Sequence, residues 1–245
     1  MPLEAPLPPA SERASNLNAR YRHHGAIRVV EHALNDAEVG RIALVSSFGA
    51  ESVALLHMVS RLDRTTPVIF LDTEMLFAET LSYQSQLSES LGLTDVRIVS
   101  ATRDALFERD NENLLHLHDP DACCVLRKTE PLDAALEPFD AWFTGRKRFQ
   151  AGSRVAMDFF EVGDQGRIKV NPLAHWSPRD VSDYMDENRL PRHPLVAKGY
   201  PSLGCAPCTS PVGFGEDPRS GRWRDQEKTE CGIHYYNGKM IRPSA

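Results

Sequence analysis

No apolar run in this chain approaches the roughly 20 residues that a membrane-spanning helix needs, so no membrane partner is expected. Positive charge is also in short supply. Lys and Arg total 28 against 34 Asp and Glu, a formal net charge of −6. Binding of nucleic acid through its phosphates draws on a strong positive field, and that class of function is disfavoured. There is no internal repeat, and no low-complexity stretch beyond the proline-rich opening. That opening has neither a basic start nor an apolar core, so it does not read as a secretory signal. It reads as a disordered leader over residues 1–14. The expected location is cytoplasmic, where thiols stay reduced. Cysteine is scarce: five residues, Cys123, Cys124, Cys205, Cys208 and Cys231, in two close pairs with one left over. In a reducing compartment that pattern points to metal or redox chemistry rather than to disulfides.

What is present suits a globular domain. Hydrophobic residues make up 41% of 245, enough to bury a sizeable core. Residues 16–36 carry a helical pattern. The apolar run of residues 41–46 then breaks at Ser-Ser-Phe-Gly-Ala-Glu-Ser, which reads as a buried strand, a tight turn and a helix over 52–61. Further strands are expected at 67–71, 95–100 and 141–144, with a helix over 76–91 between the first two of these. A hairpin is expected around Gly163-Asp164-Gln165-Gly166. The segment opened by Cys123 and Cys124 reads as helix, interrupted or kinked at Pro131. Ser177-Pro178-Arg179-Asp180 has the cap, the first-position proline and the acidic first turn of a helix start. The alternation predicts an α/β fold, a mostly parallel sheet with helices on both faces. From Pro191 onward periodicity fades into a loop-rich C-terminal tail.

Ligands of such sheets bind outside the carboxyl ends of the strands. The turn at 46–52 follows a strand and opens a helix, so it offers backbone N–H groups and a positive dipole end suited to phosphate. An ordinary serine-capped turn is the competing reading, and no Gly-Lys-Ser/Thr follows, so it is not a Walker A loop. Basic clusters at Arg146, Lys147, Arg148 and Arg154, and at Arg219, Arg222 and Arg224, suit a small anion or else a solvated surface. Cys205-Ala-Pro-Cys208 has the spacing of zinc and iron–sulfur ligands alike. Adjacent cysteines on a helix point about 100° apart, which favours a cluster with several metal corners over a single ion. Cys231 lies beside Gly232 and near Lys228 and His234, neighbours that favour a thiolate. His116, His118, His175, Asp72 and Glu74 are weaker candidates, better read as structural or solvated.

These segments resemble, in order, the sulfonucleotide (APS/PAPS) reductases. The landmarks are Ser-Phe-Gly-Ala-Glu-Ser, Leu-Asp-Thr-Glu, Cys-Cys-x-x-Arg-Lys-x-Glu-Pro-Leu, Thr-Gly-Arg-Lys-Arg, Cys-x-x-Cys, Arg-x-Gly-Arg-Trp and Glu-Cys-Gly-Ile-His. The resemblance implies an adenine-nucleotide α-hydrolase-like fold, with a nucleotide-binding α/β domain over 15–190 and a tail over 191–245. It implies that Ser47, Gly49 and Leu71 lie along the adenosine and Gly145 near the base. Lys128, Arg219, Arg222 and His234 would bind the phosphosulfate. Cys123, Cys124, Cys205 and Cys208 would hold a [4Fe–4S] cluster, and Cys231 would be the nucleophile. It further implies adenosine 5′-phosphosulfate (APS) as substrate, with the 3′-phosphorylated analogue PAPS as the nearest alternative, and a thioredoxin-like dithiol as partner. A homo-oligomer is left open. Two departures stand out: the family loop often reads Thr-Gly-Leu-Arg-Arg where this chain has Thr-Gly-Arg-Lys-Arg, and the family's strand-end segment often carries Gly where Glu74 stands. An ATP pyrophosphatase and a zinc module remain as competing readings of the same residues.

Overall fold

The strands of the computed structural model, which describes residues 7–224 and residue 228, follow from period-two burial. In β1 (Ile42–Ser46) and β2 (Val68–Leu71), Leu44, Val68 and Phe70 point into the larger apolar core. Ala43, Ile69 and Leu71 point to the opposite face, against Leu132 and Leu136. A strand buried on both faces can be apolar throughout, and this is why β1 and β2 read as continuous hydrophobic runs. In chain order the other elements are α1 (Ala10–Tyr21) and α2 (Ala26–Asn35) before β1. Next come α3 (Ser52–Leu62) and α4 (Ala78–Leu91) on either side of β2, then β3 (Val96–Val99), α5 (Arg103–Asp110) and α6 (Leu115–His118). They are followed by α7 (Pro120–Cys124), α8 (Glu130–Leu136), β4 (Ala141–Phe143), β5 (Phe160–Val162), β6 (Ile168–Val170) and α9 (Pro178–Glu187). The sheet order is β3-β2-β1-β4-β6-β5, with every pairing parallel except β5 with β6. The expected α/β class and hairpin are both present.

Four differences from the sequence reading have local causes. Helix begins at Ala10, inside the stretch expected to be a leader, because Arg13 and Ala14 are buried and Arg13 donates to the Glu38 carbonyl at 2.9 Å. The helical pattern of 16–36 is two helices, parted just before Gly25, which caps α2 in an extended conformation. Helix α4 starts at Ala78 rather than 76 because Leu76 forms a β-bridge with Cys205, and Ala206 N–H donates to the Met75 carbonyl at 2.7 Å. The fourth lies after Cys124. Pro131 has no N–H and its ring would meet the Arg127 carbonyl, and the chain answers with a π-helical turn over Val125–Thr129 between α7 and α8.

That turn aims Arg127 inward. Its guanidinium is buried, bonding Asp110 Oδ2 at 2.7 Å, the Thr73 carbonyl at 2.9 Å and Asn113 Oδ1 at 2.7 Å. Asp110 also accepts the Leu115 N–H at 2.8 Å. One buried pair thus ties α5, the turn after β2 and the helix carrying the paired cysteines. Removing one partner of a buried ion pair leaves the other charge uncompensated, and Asp110→Ala should cost about 3–5 kcal/mol in urea unfolding. Burial alone would push the Asp110 carboxyl up, yet the bonds from Arg127 and Leu115 hold it below the usual range. A carboxyl lowered on folding contributes stability above its unfolded value of about 3.9 and loses it as pH falls through the folded value. The gap between wild type and Asp110→Ala should therefore persist from neutral pH to about pH 4 and close below it. A gap that widened in acid would contradict this account.

Candidate active site

The strand order reverses direction between β1 and β4, and a cleft of about 280 Å³ opens there, outside the carboxyl ends of β1, β2 and β4. Its floor is the loop of residues 46–52. Ser46 Oγ accepts the Phe48 N–H at 3.1 Å, and Ser52 Oγ accepts the Gly49 N–H at 2.9 Å. Phe48 is left-handed at φ +47, a strained conformation for a bulky residue. It is held there by a fully buried ring set edge-on to Phe70, with centroids 5.2 Å apart. Helix α3 opens at this loop without a side-chain cap on its first turn, which leaves its dipole end facing the cleft. Glu51, at the cap position, is turned to Lys147 Nζ at 2.8 Å and Gln150 Nε2 at 3.1 Å.

The basic loop after β4 supplies one wall. Lys147 is buried; burial pushes its pKa down, Glu51 opposes the shift, and Arg154 and Arg219 add to it. Cations from two segments far apart in sequence therefore gather at one wall, with Glu51 as counter-charge. Arg146 is fixed by Glu161 at 2.6 Å and Asn171 at 3.0 Å. Arg222 comes from the tail. Its Nη1 donates to the Leu203 carbonyl at 2.7 Å and its guanidinium lies 4.3 Å from the Trp223 ring centre. Its Nε is buried without a hydrogen-bond partner among the described residues. The guanidinium rests on Gly204, where an added Cβ would fall 2.6 Å from Arg222 Cζ.

A second, smaller cavity adjoins the first. Cys123, Cys124, Cys205 and Cys208 all line it, and Lys128 and Trp223 line both cavities. The bridge between Leu76 and Cys205 brings the tail cysteines to the paired ones. Thr73 Oγ1 lies 3.2 Å from Cys205 Sγ. Burial pushes the Cys123 thiol up to about 11, with Cys205 adding to the shift, and Cys208 is raised for the same reasons. Among the described residues no group of His, Cys, Asp or Glu side chains is gathered as for a single metal ion. The donor chemistry does suit a larger centre: four thiols around one cavity become thiolates where a metal compensates the charge.

Ser47, Gly49, Leu71, Lys128, Gly145, Arg219 and Arg222, singled out from the sequence, all line the larger cleft. Cys231 and His234 lie outside the described residues. The weaker candidates take structural parts. Asp72 Oδ1 accepts the Glu74 N–H at 2.8 Å, Glu74 pairs with Arg103, and His175 packs edge-on to Phe159. His116 and His118 sit on α6 and do not line the cysteine cavity. Sequence reasoning gave no separate role to Arg127, Trp223 or Gly204. Arg127 and Trp223 did stand inside the quoted landmarks, and Gly204 stands beside Cys205. Gly204→Ala should displace Arg222 and raise KM for the bound anion about tenfold or more, the loss of one charge-assisted contact. Unchanged KM would mean that Arg222 does not touch the ligand.

This sheet, with its cleft at the switch point and an uncapped helix end on the floor, defines a nucleotide-binding α/β protein with a cavity lined by four cysteines beside the cleft. The chain belongs to the phosphoadenosine phosphosulfate reductase domain family, whose model matches residues 41–211. It is 51% identical to the adenosine 5′-phosphosulfate reductase of Mesorhizobium japonicum over 91% of this chain and 87% of that protein. It is 52% identical to the protein of the same name from Chelativorans sp. over 95% and 93%. In fold it is similar to the phosphoadenylyl-sulfate reductase of Candida auris in its phosphate complex. The TM-score is 0.70 at 24% identity, covering 85% of this chain and 100% of that one.

Proposed function

We propose that the chain reduces APS to sulfite and AMP, with Cys231 as nucleophile and a thioredoxin-like dithiol as reductant. As a member of its family it is an oxidoreductase acting on a sulfur group. One observation carries the reading: the cleft that suits an adenine nucleotide shares the wall of Lys128 and Trp223 with the four-cysteine cavity. The names of the relatives at 51% and 52% identity support APS over PAPS. The absence of any membrane-crossing helix among the described residues agrees with work in the cytoplasm, beside the reductant.

The Cys231 thiolate attacks the sulfur of the phosphosulfate, the bond to the bridging oxygen breaks, and AMP leaves with the electron pair. The chain then carries an S-sulfocysteine. A thiolate of the dithiol attacks Cys231 Sγ and expels sulfite, and the second thiol resolves the mixed disulfide. Charge grows on the bridging oxygen as AMP departs, so Lys128, Arg219, Arg222 and His234 serve best if aimed there. The buried Nε of Arg222, which has no hydrogen-bond partner among the described residues, is a donor suited to that use. Losing one such donor costs roughly 3 kcal/mol in the barrier, about a hundredfold in rate.

Cys123, Cys124, Cys205 and Cys208 would hold a [4Fe–4S] cluster, which would supply local charge and a rigid anchor between tail and sheet. Lys128, on the shared wall, is the residue through which that neighbourhood reaches the substrate.

Two measurements test these assignments separately. Anaerobic protein given APS and no reductant should show a sulfonate adduct on Cys231 by peptide mass spectrometry, absent in Cys231→Ser; an unmodified Cys231 in wild type would rule out the two-step reaction. Cys208→Ser should lose most bound iron, sulfide and visible absorbance, whereas full retention would remove that cysteine from the ligand set.

A further inference from the structure

Among the described residues Lys228 lies nearest to Cys231 in sequence, three positions before it. Its side chain is 5% exposed, a rare state for lysine without partners. The ammonium reaches Asp121 Oδ1 at 2.6 Å and the Pro120 carbonyl at 3.0 Å. It also stands 5.6 Å from the Trp223 ring centre. Pro120 and Cys124 line the cysteine cavity, and Trp223 lines both cavities. Taking an ammonium out of water costs several kcal/mol unless its partners are in place, and here the partners come from a segment more than a hundred residues earlier. The bond is thus a long-range clasp between the tail and the start of the cysteine helix. Three residues of chain reach at most about 11 Å, so whatever holds Lys228 limits where Cys231 can go.

We infer that Lys228 is a positioning residue whose ammonium ties the tail to Asp121 and Pro120 and so sets the place of Cys231 against the substrate. The inference rests on the reading of Cys231 as nucleophile. Asp121 is the other half of the clasp, and the two side chains act as one unit.

The test uses the anaerobically purified full chain, as wild type, Lys228→Met, Asp121→Asn and the double variant. Iron and sulfide content, AMP affinity, single-turnover sulfonation of Cys231 by APS, and alkylation of Cys231 by iodoacetamide are measured on each. In Lys228→Met, cluster content and AMP affinity should match wild type while sulfonation slows about tenfold to a hundredfold, the cost of a misplaced reacting group. Alkylation should quicken several-fold. Asp121→Asn should reproduce the effect, and the double variant should be no slower than the slower single one, as coupled partners require. Wild-type sulfonation in Lys228→Met overturns the inference. So does a loss of iron that tracks the loss of sulfonation, which would make Lys228 a support of the cysteine cavity instead. If wild type itself forms no sulfonate, the reaction proposed above has failed; the alkylation ratio alone then decides on the clasp, and an unchanged ratio overturns it.

Discussion

Pro131 has no N–H to give the Arg127 carbonyl, and the arrangement around the site follows from that constraint. An uninterrupted α-helix from Pro120 to Leu136 would need the missing bond. The chain instead passes through a π turn, in which the Glu130 N–H reaches back to the Val125 carbonyl. Within this turn Arg127 points to the buried Asp110 and to the Thr73 carbonyl, while Lys128 lines both cavities. The paired cysteines just before it face the second cavity. A single departure from α-helical register thus gives adjacent residues different tasks: one locks the helix to the turn after β2, the next serves the cleft.

The same economy appears in the tail. The described part beyond α9 has little regular structure, only short 3-10 turns at Pro194–Lys198 and Ala206–Cys208. It is fixed by long-range contacts: the Leu76–Cys205 bridge, the Thr209–Arg222 bridge, and Lys228 on Asp121. Each of these brings a cleft or cysteine residue to its place. The net charge of −6 belongs to the whole chain. The cleft draws its lining from Lys128, Arg146, Lys147, Arg154, Arg219 and Arg222, with Glu51 among them. An acidic protein can therefore present a local positive field to a small anion.

Much of this was legible in the sequence. β1 and β2 announced themselves because two-sided burial favours apolar residues at nearly every position, and α9 did so through a cap and acidic first turn, which in the structure form a capping box. The cleft residues could be named because they sit in short segments at strand ends and tail turns. What could not be read depends on partners distant in sequence. Nothing near Arg127 tells that Asp110 waits for it, and nothing near Lys147 tells that Glu51 will accompany its burial. The early start at Ala10 was hidden because a proline-rich opening masks an arginine that finds the Glu38 carbonyl. Gly204 looked like a loop glycine, though its missing Cβ is what seats Arg222.

The central claim joins a nucleotide cleft, a four-cysteine centre and a nucleophile on the tail into one sulfur-reducing site. Its most direct test is sulfite release from APS and from PAPS, side by side, by anaerobically purified protein with thioredoxin. Rapid release from APS and little from PAPS is the predicted result. Release from neither would contradict it.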